Sequence, residues 1–507
     1  MTLLVTVLYI LAAVLGAAFA FMEFRLLYRF VHHREEIRDQ CRLGGDGAER
    51  AEDEDDFPTV TIQIPLYNER TAAERAIAAA AAQDYPRHRF DIQVLDDSTD
   101  ETTEIVARLT DILRARGVRI EHLHRSNRDG FKAGALREGL KGSDAEFVAV
   151  FDADFSPPPD FLRRILVDAD AFADPRTSFV QSRWAWDRSA DDILWSGFGV
   201  LLDRHFFIQK PVREFLGNVA TFNGSGGIWR RAAIEDAGGW SSDTLTEDLD
   251  LSYRCALKGW EGRYVKDVAV ENDLPGDMRA FKIQQLRWSR GNAQCFRKLS
   301  GKVLSARSML KDRLEEIFLL AGYAIHPILV ANLFLWPWAV LYVNRSLFLG
   351  LQVFMSLATI AAPLSLAATV RERDGRLRRT HILEVLGGLC LGIGLMVNNT
   401  AGQIMGALGR EGEFARTPKV PRPTEFEETR RLGSQRPYRV PLHWTFFAEL
   451  LVLLYALAGA AVLIRAGDPL WSFPLFFWAG CIGLVVWLQL RGRERRPEFV
   501  PVPVHEW

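Results

Sequence analysis

Cysteine is scarce in this chain: five in 507 residues, at Cys41, Cys255, Cys295, Cys390 and Cys481. They are odd in number, widely scattered and never arranged as C-x-x-C. Neither a disulfide framework nor a cysteine-built zinc site is indicated, and the thiols read as buried or membrane-facing. An excess of charge of one sign is also lacking. Lys and Arg total 62 against 64 Asp and Glu, a formal net charge of -2. That argues against a general nucleic-acid binder, which is usually basic, so no nucleic-acid partner is expected. In places charge is missing altogether. Residues 3–22 carry none, and uncharged blocks return after Glu316. The overall 48% hydrophobic and 25% charged therefore average over a segregated chain. A simple soluble enzyme, a disordered chain and a collagen-like one are all excluded.

Residues 3–22 would extend about 30 Å as a helix, enough to cross a bilayer. A cleaved signal peptide is the rival, since Ala18-Phe19-Ala20 resembles a cleavage site, but Met1-Thr2 supplies no basic n-region. Arg25, Arg29, Arg34 and Arg38 follow the block instead. The positive-inside rule then places the next domain in the cytosol. Further uncharged stretches cover 317–344, 346–370 and 385–409. Apolar spans follow at about 444–464 and 469–490. The connecting segments 371–379 and 410–440 and the tail from Arg491 are basic, so all three are expected on one side. That parity makes 317–344 with 346–370 one hairpin and 444–464 with 469–490 another. Block 385–409, which holds Asn398, Asn399, Thr400 and Gln403, then lies at the interface or re-enters. Five crossings are expected, or six if 385–409 spans. Glu449 inside an apolar span faces a polar cavity or a partner, or else sits at headgroup level.

Residues 57–310 read as a globular domain. Short apolar strands at 60–64, 92–95, 118–123 and 147–151 alternate with helical stretches at 68–83, 101–116 and from Phe131. This alternation predicts a parallel sheet covered on both faces. Ligands of such sheets bind at the carboxyl ends of the strands. Three strands run into carboxylates there: Tyr67-Asn68-Glu69, Asp96-Asp97 and Asp152-Ala153-Asp154. Such charges repel one another, and a bound cation bridging to a diphosphate would relieve them. One D-x-D alone is weak, because Asp favours turns; three coincident strand ends are not. Lys132 beside a helix start suits a phosphate, although a surface lysine is the simpler reading of that residue alone. Further on come Thr246-Glu247-Asp248 and Gln284-Gln285-Leu286-Arg287-Trp288. A carboxylate there can act as general base to a hydroxyl, and Arg287 can steady a departing diphosphate. Trp288 offers a face for a sugar ring. Gly224-x-Gly226-Gly227 lacks the G-x-G-x-x-G spacing of a dinucleotide fold.

Taken together, Asp97, Asp152-x-Asp154, Thr246-Glu247-Asp248 and Gln284-x-x-Arg287-Trp288 resemble the D, D-x-D, T-E-D, Q-x-x-R-W signature of processive family 2 glycosyltransferases. Cellulose, chitin and hyaluronan synthases and the mannan/glucomannan synthase-like proteins carry it. The resemblance covers roughly 55–440 and implies an α/β GT-A (Rossmann-like) cytosolic catalytic domain set between transmembrane helices. It implies a nucleotide-sugar site at Tyr67, Glu69, Asp96, Asp97, Lys132 and Asp152, with Mg²⁺ or Mn²⁺ on Asp152 and Asp154. It implies catalysis by Asp248 as base with Asp152, Asp154 and Arg287, and an acceptor site at Asn223, Gly224, Ser225, Glu247, Asp248, Gln284 and Trp288. Phe414-Ala415-Arg416-Thr417-Pro418-Lys419 resembles the F-x-V-T-x-K gating loop of bacterial cellulose synthase, so Phe414, Thr417 and Lys419 are expected to close over the donor. Arg416 departs from its Val. The single N-terminal span and the lack of a PilZ-like segment bring the layout nearer the mannan/glucomannan branch.

The expected division is an anchor at 1–24, a catalytic domain at 57–310, a membrane hairpin at 317–370, an interfacial helix and gating loop at 381–440, a second hairpin at 444–490 and a cytosolic tail at 491–507. The expected activity is inverting, metal-dependent hexose transfer from UDP-glucose or GDP-mannose to a β-linked polysaccharide at the inner (plasma) membrane, coupled to export. A lipid acceptor, diacylglycerol or prenyl phosphate, is the alternative. A membrane-anchored binding or regulatory pseudoenzyme is a further one, which the intact acidic set opposes.

Overall fold

The computed structural model describes residues 2–43, 53–186, 193–306, 313–409 and 440–491. The gating-loop residues Phe414, Thr417 and Lys419 lie outside the described residues, as does the tail from 492.

Eight strands form one sheet in the order β3-β2-β1-β4-β7-β6-β8-β5. They are β1 (Val60–Leu66), β2 (Phe90–Asp96), β3 (Ile120–His124), β4 (Phe147–Val150), β5 (Phe155–Ser156), β6 (Thr177–Ala185), β7 (Gly227–Arg230) and β8 (Glu261–Asn272). β1 shows why the centre of the sheet holds. Val60, Ile62 and Ile64 are buried among the helix 70–81 residues Ala73 and Ile77. The alternate side chains point to the opposite face. There the Gln63 amide donates to Gln93 Oε1 at 2.9 Å, and Thr61 Oγ1 lies 2.6 Å from Ser143 Oγ. A Cβ on Gly139 would sit 2.6 Å from the Gln63 amide nitrogen, so the helix over this polar ladder needs glycine at its closest approach.

β3, β2, β1 and β4 are parallel, as the strand–helix alternation predicts. The other half departs from the expected all-parallel sheet. β7 runs antiparallel to both β4 and β6, and β5 antiparallel to β8. These pairings join residues far apart in sequence, which local periodicity does not report. β1 leads to β2 and β3 on one side, while β4 lies on the other. The order therefore reverses between β1 and β4, and a crevice opens there at the carboxyl edge.

Among the described residues, four helices are long and apolar enough to cross a membrane: Thr2–His32, Gly322–Tyr342, Thr445–Arg465 and Pro469–Arg491. A fifth crossing arises if His381–Gly394 and Met396–Ala407, bent by 42°, count as one span. Block 385–409 is thus a broken helix pair, in keeping with a span that bends or re-enters. Residues 346–370 do not form the expected uninterrupted span. Helices Arg345–Thr359 and Ala361–Asp374 meet at Ile360. Pro363, at the third position of the second, has no N–H to bond back across the junction. The apolar block from 317 is likewise divided, with helix Arg313–Leu320 ending before Gly322.

A long helix, Met278–Ser305, joins the catalytic sheet to the membrane helices. The Asp277 carboxylate caps it by accepting from the Ala280 N–H at 2.8 Å. Gly402 and Gly406 of the bent pair lie against its backbone. A Cβ on Gly402 would sit 2.8 Å from the Leu286 carbonyl, and one on Gly406 would strike that of Arg290. Glycines four apart let the two backbones touch, and Ser289 Oγ donates to the Asn399 carbonyl at 2.6 Å across the contact. The Lys282 ammonium donates to Glu449 at 2.9 Å and to Gln489 Oε1 at 2.8 Å. Glu449 is fully buried, so it faces a partner and not the headgroups.

Candidate active site

One cavity of about 1110 Å³ runs from the carboxyl edge of the sheet into the membrane helices. Tyr67, Glu69, Asp97, Lys132, Asp152 and Asp154 line its sheet end. Asn223, Gly224, Glu247, Asp248, Gln284, Arg287 and Trp288 line its middle. Asn332, Trp336, Gln352 and Trp478 line its membrane end. The structure therefore gathers nearly all the sequence-predicted site residues into one space. Two stay behind the wall. Ser225 is fully buried, and its hydroxyl accepts from the Asp152 N–H at 2.9 Å, which holds the D-x-D turn. Asp96 is fully buried too; it accepts from the Ser98 N–H at 2.8 Å, and its Oδ2 lies 3.0 Å from His122 Nε2 and 3.2 Å from His124 Nδ1. Burial opposes its charge, but the bonds from His122 and Ser98 outweigh that and hold the carboxyl below its ordinary range.

Asp97 does reach the cavity, clasped by Arg125 through two bonds of 2.6 and 2.5 Å. The turn after β1 is tied to the turn after β2: Asn68 N–H donates to Ser98 Oγ, and Asn68 Oδ1 accepts from Thr99 N–H, both at 2.8 Å. Asn68 (φ 55) and Phe131 (φ 50) adopt left-handed backbone, each beside a cavity residue, Tyr67 or Lys132. Such strain collects where a side chain must be aimed. Arg128 lies 3.3 Å over the Tyr67 ring centroid. Sequence reasoning missed Arg125, Arg128, His122 and His124. A cue existed, since the basic run from 122 to 128 directly precedes Phe131-Lys132.

Lys132 is the hub of the middle. Its ammonium sits 2.5 Å from Asp152, 2.7 Å from the Gly224 carbonyl and 3.7 Å from Glu247. Burial works against its charge, yet Asp152 and Glu247 hold it above its ordinary value. Burial, with Asp154 adding repulsion, pushes the Asp152 carboxyl up. Burial and then Glu247 push Asp248 up to about 7. Burial draws Arg287 down against the pull of Glu247, Asp152, Asp154 and Asp248. One guanidinium thus shares the cavity with four carboxylates.

The acceptor-side loop is held from beneath. Gly224 (φ +80) turns the chain so closely that a Cβ there would lie 3.4 Å from Asp248 Oδ2 and 3.5 Å from the Lys132 ammonium. Gln181 donates to the Ser225 and Gly226 carbonyls at 3.0 Å and accepts from the Asn223 N–H at 2.8 Å. Asn223 Nδ2 lies 3.1 Å from His205 Nε2. Glu247 and Asp248 open helix Glu247–Lys258, where the helix dipole favours anions. The Met278–Ser305 helix supplies Gln284, Arg287 and Trp288, and its Gln294 Oε1 accepts from the Leu245 N–H at 2.9 Å.

A mixed sheet with acidic strand ends, a D-x-D turn and a further carboxylate lining the crevice is the arrangement of a GT-A-like fold. Residues 147–370 match the family described as glycosyl transferase family group 2. In that region the chain is similar to family 2 glycosyltransferases, the mannan synthase-like proteins among them. It is 43% identical over 269 residues to glucomannan 4-beta-mannosyltransferase 2 of Arabidopsis thaliana, covering 52% of this chain and 48% of that protein. It is 40% identical over 267 residues to glucomannan 4-beta-mannosyltransferase 1 of Cyamopsis tetragonoloba, covering 52% and 50%. The chain thus spans about half the length of the curated relatives it matches. Among solved structures, the mannosyltransferase PcManGT from Pyrobaculum calidifontis in complex with GDP-Man and Mn²⁺ superposes with a TM-score of 0.48 at 20% identity, covering 78% of this chain and all of that one.

Proposed function

We propose that the chain transfers a hexose from UDP-glucose or GDP-mannose to the end of a growing β-linked polysaccharide, with inversion, and feeds the product into its membrane helices. The continuous cavity carries this reading, since donor-end carboxylates, a candidate base and a path among the apolar helices share one space. Under it Tyr67, Glu69, Asp97 and Lys132 hold the nucleotide sugar, and Asp96 positions the turn behind Asp97. Asn223, Gly224, Glu247, Gln284 and Trp288 receive the acceptor, with Ser225 fixing the loop. The anchor at 1–24, the divided block 317–370 and the hairpin 444–490 hold the 57–310 domain at the cytosolic face of the plasma membrane. The basic residues Arg25, Arg29, Arg34 and Arg38 support that side.

Asp248 takes the proton from an acceptor hydroxyl. The freed oxygen attacks the anomeric carbon as the bond to the diphosphate breaks on the opposite face. An α-linked donor then yields a β-linked product. Arg287 and Lys132 offset the charge gathering on the leaving diphosphate. Asp152 and Asp154 suit a divalent cation, because two neighbouring carboxylates lining one cavity repel until one is neutralised. When bound, such a cation supplies Lewis-acid stabilisation of the diphosphate.

A second reading has a lipid acceptor. Its support is the apolar lining of the cavity, to which Gly16, Phe19 and Ala20 of the first helix and Leu366, Gly388 and Leu389 contribute. The test is nucleotide release and product partition for the wild type and Asp248→Asn. The main reading expects water-soluble polymer from the wild type and at least a hundredfold loss of release in the variant. Wild-type release by Asp248→Asn would overturn the assignment of the base. A chloroform-soluble monosaccharide product would move the acceptor to lipid.

A further inference from the structure

The sequence holds no cysteine pair that would suggest a zinc site, yet the fold assembles a different set of soft-metal donors. His122 and His124 are two apart on β3, so their side chains leave the same face of the sheet. In the parallel register His124 lies beside Asp96, the last residue of β2, and His122 beside Val94. Asp96 Oδ2 is 3.0 Å from His122 Nε2 and 3.2 Å from His124 Nδ1. All three ligand atoms lie within 4.8 Å of one another. Metal–ligand bonds of about 2.0–2.1 Å in a tetrahedron give ligand–ligand edges of roughly 3.3 Å. The two measured edges are within a few tenths of an ångström of that figure.

We propose that Asp96, His122 and His124 form a second metal site, for a late first-row divalent cation of the Zn²⁺ class. The donors set this selectivity: two imidazoles and a carboxylate suit Zn²⁺, Co²⁺ or Ni²⁺, whereas the all-oxygen pair Asp152 and Asp154 suits Mg²⁺ or Mn²⁺. The two sites are distinct. β1 lies between β2 and β4, which separates them by roughly 10 Å at 4.7–4.9 Å per strand. His124 is 41% exposed while Asp96 is fully buried, so ions enter, and a water completes the coordination, from the His124 side. Binding needs both rings neutral, each moving its proton to the nitrogen that faces away from Asp96. Its consequence is local. Asp96 also anchors the turn through Ser98, and the next residue, Asp97, lines the cavity. A bound ion would fasten the edge strand to the turn at the donor end.

The test uses the full chain in detergent, stripped by chelator and titrated with Co²⁺ alone and then Zn²⁺. We expect a tetrahedral Co²⁺ visible spectrum at one equivalent, bleached by Zn²⁺, and a rise in Tm on Zn²⁺ addition. His124→Ala, at a half-exposed position that tolerates truncation, should weaken Co²⁺ binding by more than the roughly tenfold cost of outer-shell changes. The double variant His122→Ala/His124→Ala should abolish the spectrum, and Asp152→Asn should keep it. No tetrahedral spectrum in the wild type, or an unchanged one in His124→Ala, would overturn the proposal. So would loss of the spectrum in Asp152→Asn alone. None of these readouts depends on glycosyl transfer.

Discussion

A general base enclosed in a cavity as Asp248 is must leave its mark on the pH dependence of the reaction. Burial and the neighbouring Glu247 push its carboxyl up to about 7, far above the 3.9 of a free Asp. The base works only when ionised. Activity is therefore half-maximal near pH 7, close to full from about pH 8, and falls by about tenfold per unit well below pH 7. At pH 5, two units below the midpoint, kcat/KM should be about one hundredth of its plateau. An exposed aspartate would show no such loss until roughly pH 4. Glu247→Gln removes the second cause and leaves the first. Whatever it does to the plateau, its acid limb should move to lower pH, and each unit of movement restores about tenfold of relative activity at pH 5. The assay is initial-rate nucleotide release at subsaturating donor from pH 4.5 to 9 at constant ionic strength. An acid limb that stays put in Glu247→Gln, or lies near pH 4 in the wild type, would refute the reasoning.

Three further outcomes follow from the packing. Lys282→Met strands the fully buried Glu449 carboxylate and should cost about 3–5 kcal/mol, while adding Glu449→Leu should recover most of it, as thermal unfolding in detergent will show. Gly402→Leu forces side-chain bulk against the Leu286 carbonyl, so it should destabilise by about 1–3 kcal/mol and lower nucleotide release by displacing Arg287 and Trp288. Chelation should abolish nucleotide release, with Mg²⁺ or Mn²⁺ restoring it in the wild type and not in Asp152→Asn/Asp154→Asn.

Local chemistry was legible in the sequence where local rules govern it. Val60, Ile62 and Ile64 alternate with polar residues, and the strand they mark runs two residues further, to Leu66. The helix from Phe131 begins where its composition indicates. The D-x-D, T-E-D and Q-x-x-R-W groups converge on one cavity because each ends a strand, opens a helix or lies on the helix that crosses beneath. What was illegible depends on distant partners. The antiparallel placement of β7 joins Gly227 to Val150, and no periodicity encodes such a pairing. Glu449 could be weighed but not resolved until Lys282 was seen beside it. Asp96 and Asp97 are adjacent in sequence, yet one is sealed by histidines and the other faces the cavity. Pro363 was visible, but its power to break the 346–370 span was not weighed against an uncharged run long enough to cross.

The central claim is polysaccharide synthesis at one end of a cavity that continues into the membrane. Its most direct test places the purified chain in sealed lipid vesicles with the catalytic domain outward. UDP-glucose, GDP-mannose, UDP-N-acetylglucosamine or UDP-galactose is added outside with Mg²⁺ or Mn²⁺. The account predicts nucleotide release with UDP-glucose or GDP-mannose, and a long polymer cut by a β-linkage-specific hydrolase only after the vesicles are opened. Polymer wholly sensitive in intact vesicles would contradict the export path. A single-sugar lipid product, or no turnover with any donor, would contradict polysaccharide synthesis itself.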